Sequence, residues 1–432
     1  MKRRDFLKLS ASTTMALAAL EMDKKGGFFK AASTYAKGED SPPGSLGAKE
    51  VTSVCEMCFW RCPIVAKVKD GRLVKIEGNP RSPANGTRVC ARGNSGIQLV
   101  YDPDRLKYPL KRTGARGEGK WTRISWDEAL DEIAFHMEKV KKEYGPHALA
   151  YFDHGSSAEF MREIFKAMGT ENYSSEPAFF QCVGPVIVAY LNTMGYVVSG
   201  TRQYIDMVNA RAILLMGSHI GENVHVSHVR EFIQGLENGA KLVVVDPRYS
   251  VAANKAHVYL PIRPGTDTAL IMAWINHIIS HGLYDKEFVK RNCIGLEKVR
   301  DAAKDCTLEW AAKICDLNVD DIKKAIELLA QNRPNVAIHP GRHSTWYGQG
   351  DVGRHHAMAI LTALLGAVGQ KGGIHFPTPV KKPHAHCAGC AGEEEIEEPD
   401  VSLRDKYPLL EPFPGTPTAD IIRLPSLESH IP

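Results

Sequence analysis

No run of about 18 apolar residues occurs in this chain, so its sequence predicts no membrane-spanning helix. It has no long basic run either. Its 54 lysines and arginines are scattered among 50 acids, and the resulting net charge of +4 argues against nucleic acid as a partner. No repeat at a period of roughly 20–50 residues is visible, which argues against solenoids and propellers. The remaining composition, 44% hydrophobic and 24% charged, is that of an ordinary globular protein, and 432 residues leave room for about two or three domains.

The ten cysteines are not spaced as a disulfide framework. Four of them, Cys55, Cys58, Cys62 and Cys90, follow C-x2-C-x3-C-x27-C. That spacing suits a cubane iron–sulfur cluster, with three thiolates on one tight loop and a fourth returning after a folded excursion. The excursion reads as a hairpin, Ile64–Lys69 and Arg72–Glu77, about an Asp70-Gly71 turn. A structural zinc module is the other reading of these thiols. Cys293, Cys306 and Cys315 share no short spacing and read as core filling. His384-Ala-His386-Cys387-Ala-Gly-Cys390 holds one C-x2-C half-motif beside two histidines, which can bind zinc or cycle as a dithiol, but a plain Pro- and Gly-rich loop is its simpler reading; the acid run Glu393–Glu398 reads as a solvated face.

The N-terminus, Lys2-Arg3-Arg4-Asp5-Phe6-Leu7-Lys8, precedes a weakly apolar stretch from Leu9 to Leu20. This order reads as a twin-arginine export signal, which carries folded, cofactor-loaded proteins to the periplasm or the outer face of the cytoplasmic membrane. No clean small-x-small cleavage site follows. Residues 21–50 are rich in Lys, Gly, Ser and Pro and read as linker.

Farther along, Ser125-Trp126-Asp127-Glu128 forms a capping box ahead of apolar residues at helical spacing. Ala148–Phe152 reads as a strand, and a helix is predicted from Ala158 to Met168. Ala212–Met216, Lys241–Val245, Val258–Ile262 and Val336–His339 are short runs rich in aliphatic residues, with helices between them. The pattern predicts an α/β fold whose parallel sheet is covered on both faces. A helix from Thr268 is expected to be capped by Thr266 or Asp267. Ligands of such sheets bind at the carboxyl ends of strands, where Gly217, Asp246, Gly265, Asp267, Gly341 and Arg342 all fall. Each aspartate taken alone reads more simply as a turn or capping residue.

Together these motifs resemble the molybdopterin-guanine-dinucleotide oxidoreductases of the dimethyl-sulfoxide-reductase type. The resemblance runs from about Val51 to Gly373 and rests on the cysteine loop, Cys90-Ala91-Arg92-Gly93, Ser-Trp-Asp-Glu-Ala at 125–129, Val-Asp-Pro-Arg at 245–248 and Pro-Gly-Thr-Asp at 264–267. Gly217–Asn223 and His339–Gly348 look most like the thiosulfate and polysulfide reductase branch. The resemblance implies a 4Fe-4S cluster on Cys55, Cys58, Cys62 and Cys90, and a bis-molybdopterin guanine dinucleotide carrying Mo or W. It implies Cys182 as the protein's metal ligand, Arg92 between cluster and pterin, and His154 and Arg342 facing substrate. Gly217, Asn223, Asp246, Arg248, Gly265, Asp267 and Gly341 would line the cofactor. Formate dehydrogenases of this family follow the ligand directly with His, and Val183 departs from that.

The implied organisation is a signal and linker over 1–50 and a cluster module over 51–108. A discontinuous first α/β domain follows over 109–170 and 331–432, with a second α/β domain inserted at 171–330. The family's C-terminal barrel-like domain is missing, which reads as a fragment, a split gene or a subunit that has lost part of the site. The implied function is a reductase of thiosulfate, polysulfide or tetrathionate, with arsenate reduction or a non-catalytic iron–sulfur scaffold as the alternatives. The implied partners are a ferredoxin-like iron–sulfur subunit, a quinol-oxidising membrane anchor and a chain supplying the missing domain.

Overall fold

The computed structural model describes residues 47–376 apart from 59, 154–157, 171, 176–183, 195–203, 219, 223–224, 340 and 342–349. The export sequence, His154, Cys182, Asn223, Arg342 and the His384–Cys390 segment therefore lie outside the described residues. The described chain forms two compact units, residues 47–77 with 93–176, and residues 78–92 with 177–376.

In the first unit, β1 (Lys49–Val54), β2 (Pro63–Lys69) and β3 (Arg72–Gly78) form a sheet in that order. The hairpin expected from the sequence is β2–β3. Asp70 and Gly71 turn it with φ of 48° and 74°, the left-handed pair that matches the twist of the flanking strands. Lys67 ties the sheet laterally, its Nζ 3.6 Å from Glu50 and 2.9 Å from Glu77. Beyond two short helices, α1 (Ala91–Asn94) and α2 (Gly96–Val100), β4 (Leu110–Arg112) pairs antiparallel with β5 (Trp121–Arg123).

The predicted capping box opens α3 (Trp126–Tyr144): Ser125 Oγ accepts from the Glu128 N–H at 3.1 Å. Acids in its first turn and Lys141 and Lys142 in its last complement the helix dipole. No residue of α3 is buried, and Trp126 is 64% exposed. Next, β6 (Tyr151–Asp153), α4 (Ala158–Ala167) and β7 (Tyr173–Ser175) make a parallel β-α-β unit. The strand starts later than expected, because Pro146–Ala148 closes into a 3-10 turn.

The second unit begins with α5 (Gly184–Met194) and β8 (Tyr204–Ile205). Its centre is a four-stranded sheet ordered β11 (Val258–Leu260), β10 (Lys241–Val245), β9 (Ala212–Met216), β12 (Val336–His339), with every pair parallel. Alternate residues go to opposite faces. Ala212, Leu214 and Met216 join one apolar core with Trp274, while Ile213 and Leu215 join another with Phe232 and Tyr190. The covering helices are α6 (Val226–Glu237), α7 (Asp267–Ser280), α8 (Lys286–Asn292), α9 (Leu296–Ala303), α10 (Leu308–Cys315), α11 (Val319–Gln331) and α12 (Asp351–Leu364). Trp274, fully buried on α7, also donates its indole N–H to Ile322 O at 3.1 Å, so the largest core side chain leaves no polar atom unsatisfied. The short β13 (Ile374–His375) returns antiparallel to β8.

Two expectations are corrected here. Val336–His339 was expected in a domain with residues 109–170, yet β12 pairs with β9 in register Val336↔Ala212 to His339↔Leu215. A fully buried strand needs cover on both faces, which this sheet provides. Arg211 pins its entry by donating to Asn335 O at 2.8 Å. Thr266 does hold the N-cap position of α7, but its hydroxyl donates to Arg263 O at 2.7 Å instead of capping the helix.

Candidate functional site

The cysteine loop grows directly out of β1 and β2. Val54 and Pro63 are the last pair of the ladder, and the Cys55 N–H donates to Cys62 O at 2.9 Å, so residues 55–62 close as one loop. Within it Arg61 takes a left-handed φ of 49° and pairs with Glu56 at 3.5 Å. Cys55 and Cys58 are half-buried, Cys62 is buried, and all three thiols are free of disulfides.

Cys90, likewise in no disulfide and half-buried, stands just before α1, which carries Arg92. The return to Cys90 is fixed by Asn85, 1% exposed, whose Nδ2 donates to Arg88 O at 3.0 Å while Ser82 Oγ bonds its Oδ1 at 2.6 Å. Gly78 permits that return: a Cβ there would meet Gly86 O at 2.4 Å. Among the described residues no three His, Cys, Asp or Glu side chains already converge for a single ion. The four cysteines, none of them in a disulfide, are the soft thiolate donors that a cubane cluster takes, and so fit it chemically.

In the second unit the chain passes from β9 to β10 to β11, then places β12 on the other side of β9. This makes a topological switch point between β9 and β12, the place where open parallel sheets take ligands. Gly217 leaves β9 with φ 59°, and Gly265 turns with φ 84° ahead of α7. Positive φ at both positions explains why glycine stands there. Gly341 follows β12, its N–H donating to His339 Nδ1 at 3.2 Å. Asp246, 8% exposed, follows β10 directly and accepts from the Arg248 N–H at 2.8 Å. Arg248 turns to Glu222, Nη2 to Oε2 at 2.7 Å, and this hydrogen bond raises its pKa further. Glu222 Oε1 also accepts from the Val251 N–H at 3.0 Å. Asp267 meets Arg354 at 3.3 Å.

The structure thus brings Gly217, Asp246, Gly265, Asp267 and Gly341 to strand ends of one sheet, and it pairs Arg248 with Glu222. Sequence reasoning missed Glu222 and Arg354, since no local spacing announces a partner 26 or 87 residues away. It also missed Gly348-Gln-Gly350-Asp-Val-Gly353, a G-x-G-x-x-G order running into α12. Gly350 is that helix's N-cap, with φ 103°. A nicotinamide-type fingerprint follows its strand directly, whereas here eight residues separate His339 from Gly348. A surface cleft of about 510 Å³ near Gly282, Asp285 and Arg333 lies beyond the C-terminal ends of α7 and α11, away from the strand-end glycines.

Beside the switch point His228 packs its ring edge-to-face on His339, centroids 5.6 Å apart. One turn on along α6, Glu231 Oε2 is buried and makes no hydrogen bond among the described residues. Burial, then the charge of Asp206, raises the Glu231 pKa, with Arg230 opposing. The folded state therefore holds this proton more tightly than the unfolded chain. Its stabilising contribution is present below the ordinary glutamate range and is lost as pH rises toward the raised value. Glu231→Gln is expected to raise the thermal midpoint more at about pH 8 than at about pH 5. An equal gain at both values would contradict this.

The comparisons give the family. The molybdopterin oxidoreductase model matches residues 105–393, and the molybdopterin oxidoreductase Fe4S4 domain matches residues 48–102, which enclose all four loop cysteines. The chain belongs to the molybdopterin oxidoreductase family. Its family cofactors are a molybdopterin with molybdenum and a 4Fe-4S cluster. The chain is 36% identical to the thiosulfate reductase molybdopterin-containing subunit PhsA of Salmonella typhimurium, over 77% of this chain and 44% of that protein. It is 31% identical to the dimethyl sulfoxide reductase DmsA of Haemophilus influenzae, over 86% of this chain and 50% of that one. Acetylene hydratase from Pelobacter acetylenicus superposes with a TM-score of 0.63 at 31% identity, covering 73% of this chain and 43% of that chain. The chain spans about half the length of the relatives it matches.

Proposed function

We propose that this oxidoreductase-family chain serves an exported reductase of sulfur compounds, with thiosulfate, polysulfide or tetrathionate as substrate. The observation that carries the reading is its likeness to the Salmonella thiosulfate reductase subunit over 77% of the chain. Cys55, Cys58, Cys62 and Cys90 would hold the cluster where electrons enter, with Arg92 on the helix that follows Cys90. Gly217, Gly265 and Gly341 let the backbone approach a guanine dinucleotide, and Asp246 and Asp267 accept from its sugar or base. Cys182 would ligate the metal as a soft thiolate. When bound, the pterin-held metal supplies two-electron transfer. Arg342 would hold the anionic sulfur chain, and His154 would give the proton that the leaving sulfide takes up. Thiosulfate then leaves as sulfite and sulfide.

The partners that fit are a ferredoxin-like iron–sulfur subunit, a quinol-oxidising membrane anchor and a polypeptide carrying the barrel-like domain. The Arg3-Arg4 signal would export the assembly. A second reading, a hydratase, is favoured by the acetylene hydratase likeness. Anaerobic assay of the assembly with reduced viologen separates them. Thiosulfate-dependent dye oxidation with sulfite formed supports the reductase; acetylene hydration without dye oxidation sinks it.

A further inference from the structure

Arg354 lies in the first turn of α12 and is 3% exposed. Its Nε sits 3.3 Å from Asp267 Oδ1, a contact of charge rather than an aligned hydrogen bond. Nη2 donates to Met216 O at 3.4 Å, and Nη1 lies 3.5 Å from His355 Nε2. One guanidinium therefore joins the last residue of β9, the first residue of α7 and the helix that follows β12. Those are the elements that flank the switch point. Beside it, wholly buried His355 stays neutral: burial, then the guanidinium, pushes its pKa well below the ordinary value. Asp267 sets a carboxylate against Arg354, and at 16% side-chain exposure it is not wholly sealed. It also stands at the N-terminus of α7.

A buried ion pair is a poor stabilising device, because desolvation offsets most of the attraction and apolar packing does as well. The pair's position then asks for another role. We propose that Arg354 is a positioning residue: it holds Asp267 and the end of β9 in fixed relation, so that Asp267 and the Gly217 turn meet one guanine dinucleotide together. This rests on the reading of the strand ends as the dinucleotide site. The guanidinium itself does not have to touch the ligand. Its planar fork reaches a carboxylate and a carbonyl at once, which a lysine ammonium does less well.

The test is calorimetric titration of the full chain with GDP, a probe for the guanine and diphosphate alone. Wild type is expected to bind. Arg354→Met and Asp267→Asn are each expected to weaken binding about tenfold or more, and Arg354→Lys by less. The Arg354→Met, Asp267→Asn double variant is expected to be no weaker than the worse single variant, since the two residues act as one unit. It leaves no unpaired buried charge, so it is expected to melt within about 5 °C of wild type, separating ligand positioning from unfolding. Wild-type affinity in Arg354→Met, or losses that multiply in the double variant, overturns the positioning role while leaving the site reading intact. Failure of wild type to bind GDP overturns the site reading and the inference together.

Discussion

Cys58→Ala is expected to lower bound iron from about four atoms per chain to near zero and to remove the broad absorbance at roughly 400 nm. The loop it belongs to closes through the Cys55–Cys62 hydrogen bond and pairs into a sheet on both sides, so its folding does not depend on the Cys58 side chain. The effect therefore falls on ligation. Cys293→Ala is the control. Burial raises the Cys293 thiol pKa, as it does for Cys306 and for Cys315 deep under α7, and thiols held protonated are poor ligands. Iron content is expected to be unchanged in that variant. Full iron in Cys58→Ala would remove the cluster from this loop.

Cys182→Ser is expected to leave iron and its absorbance intact while cutting thiosulfate-dependent turnover of the assembly by about 100-fold or more. Serine oxygen is a harder donor and changes the electronic character of the centre rather than its neighbours. The two substitutions are thus expected to divide the chemistry: one removes iron, the other removes turnover at constant iron. Unchanged thiosulfate reduction in Cys182→Ser would show that the ligand is another residue.

Much of the fold was legible because it is written in short-range signals. The runs 212–216, 241–245 and 336–339 became strands at the expected bounds, since continuous aliphatic runs between helices have few other ways to be buried. Ser125 and the Asp70-Gly71 turn behaved as their residue types dictate. The strand-end glycines were legible for the same reason. What could not be read was partnership at long range. Nothing around Val336 says that its neighbour is β9, and nothing around Asp267 says that a guanidinium on α12 is its counter-charge. Arg248 adds a case of the same kind: its motif pointed to the cofactor, and nothing around it announced the pairing with Glu222. Such choices are made by sheet order, which the local sequence does not encode.

If this chain contributes both a cluster loop and a pterin-binding α/β sheet to one redox assembly, the cofactors of both must be present together. Joint quantitation of iron, molybdenum or tungsten, and GMP released by acid from the assembly purified under anaerobic conditions tests it most directly. Mo or W and GMP are expected to accompany the iron, with about two GMP per metal as a bis-dinucleotide requires. Iron without Mo, W or GMP would contradict it and leave an electron-transfer scaffold.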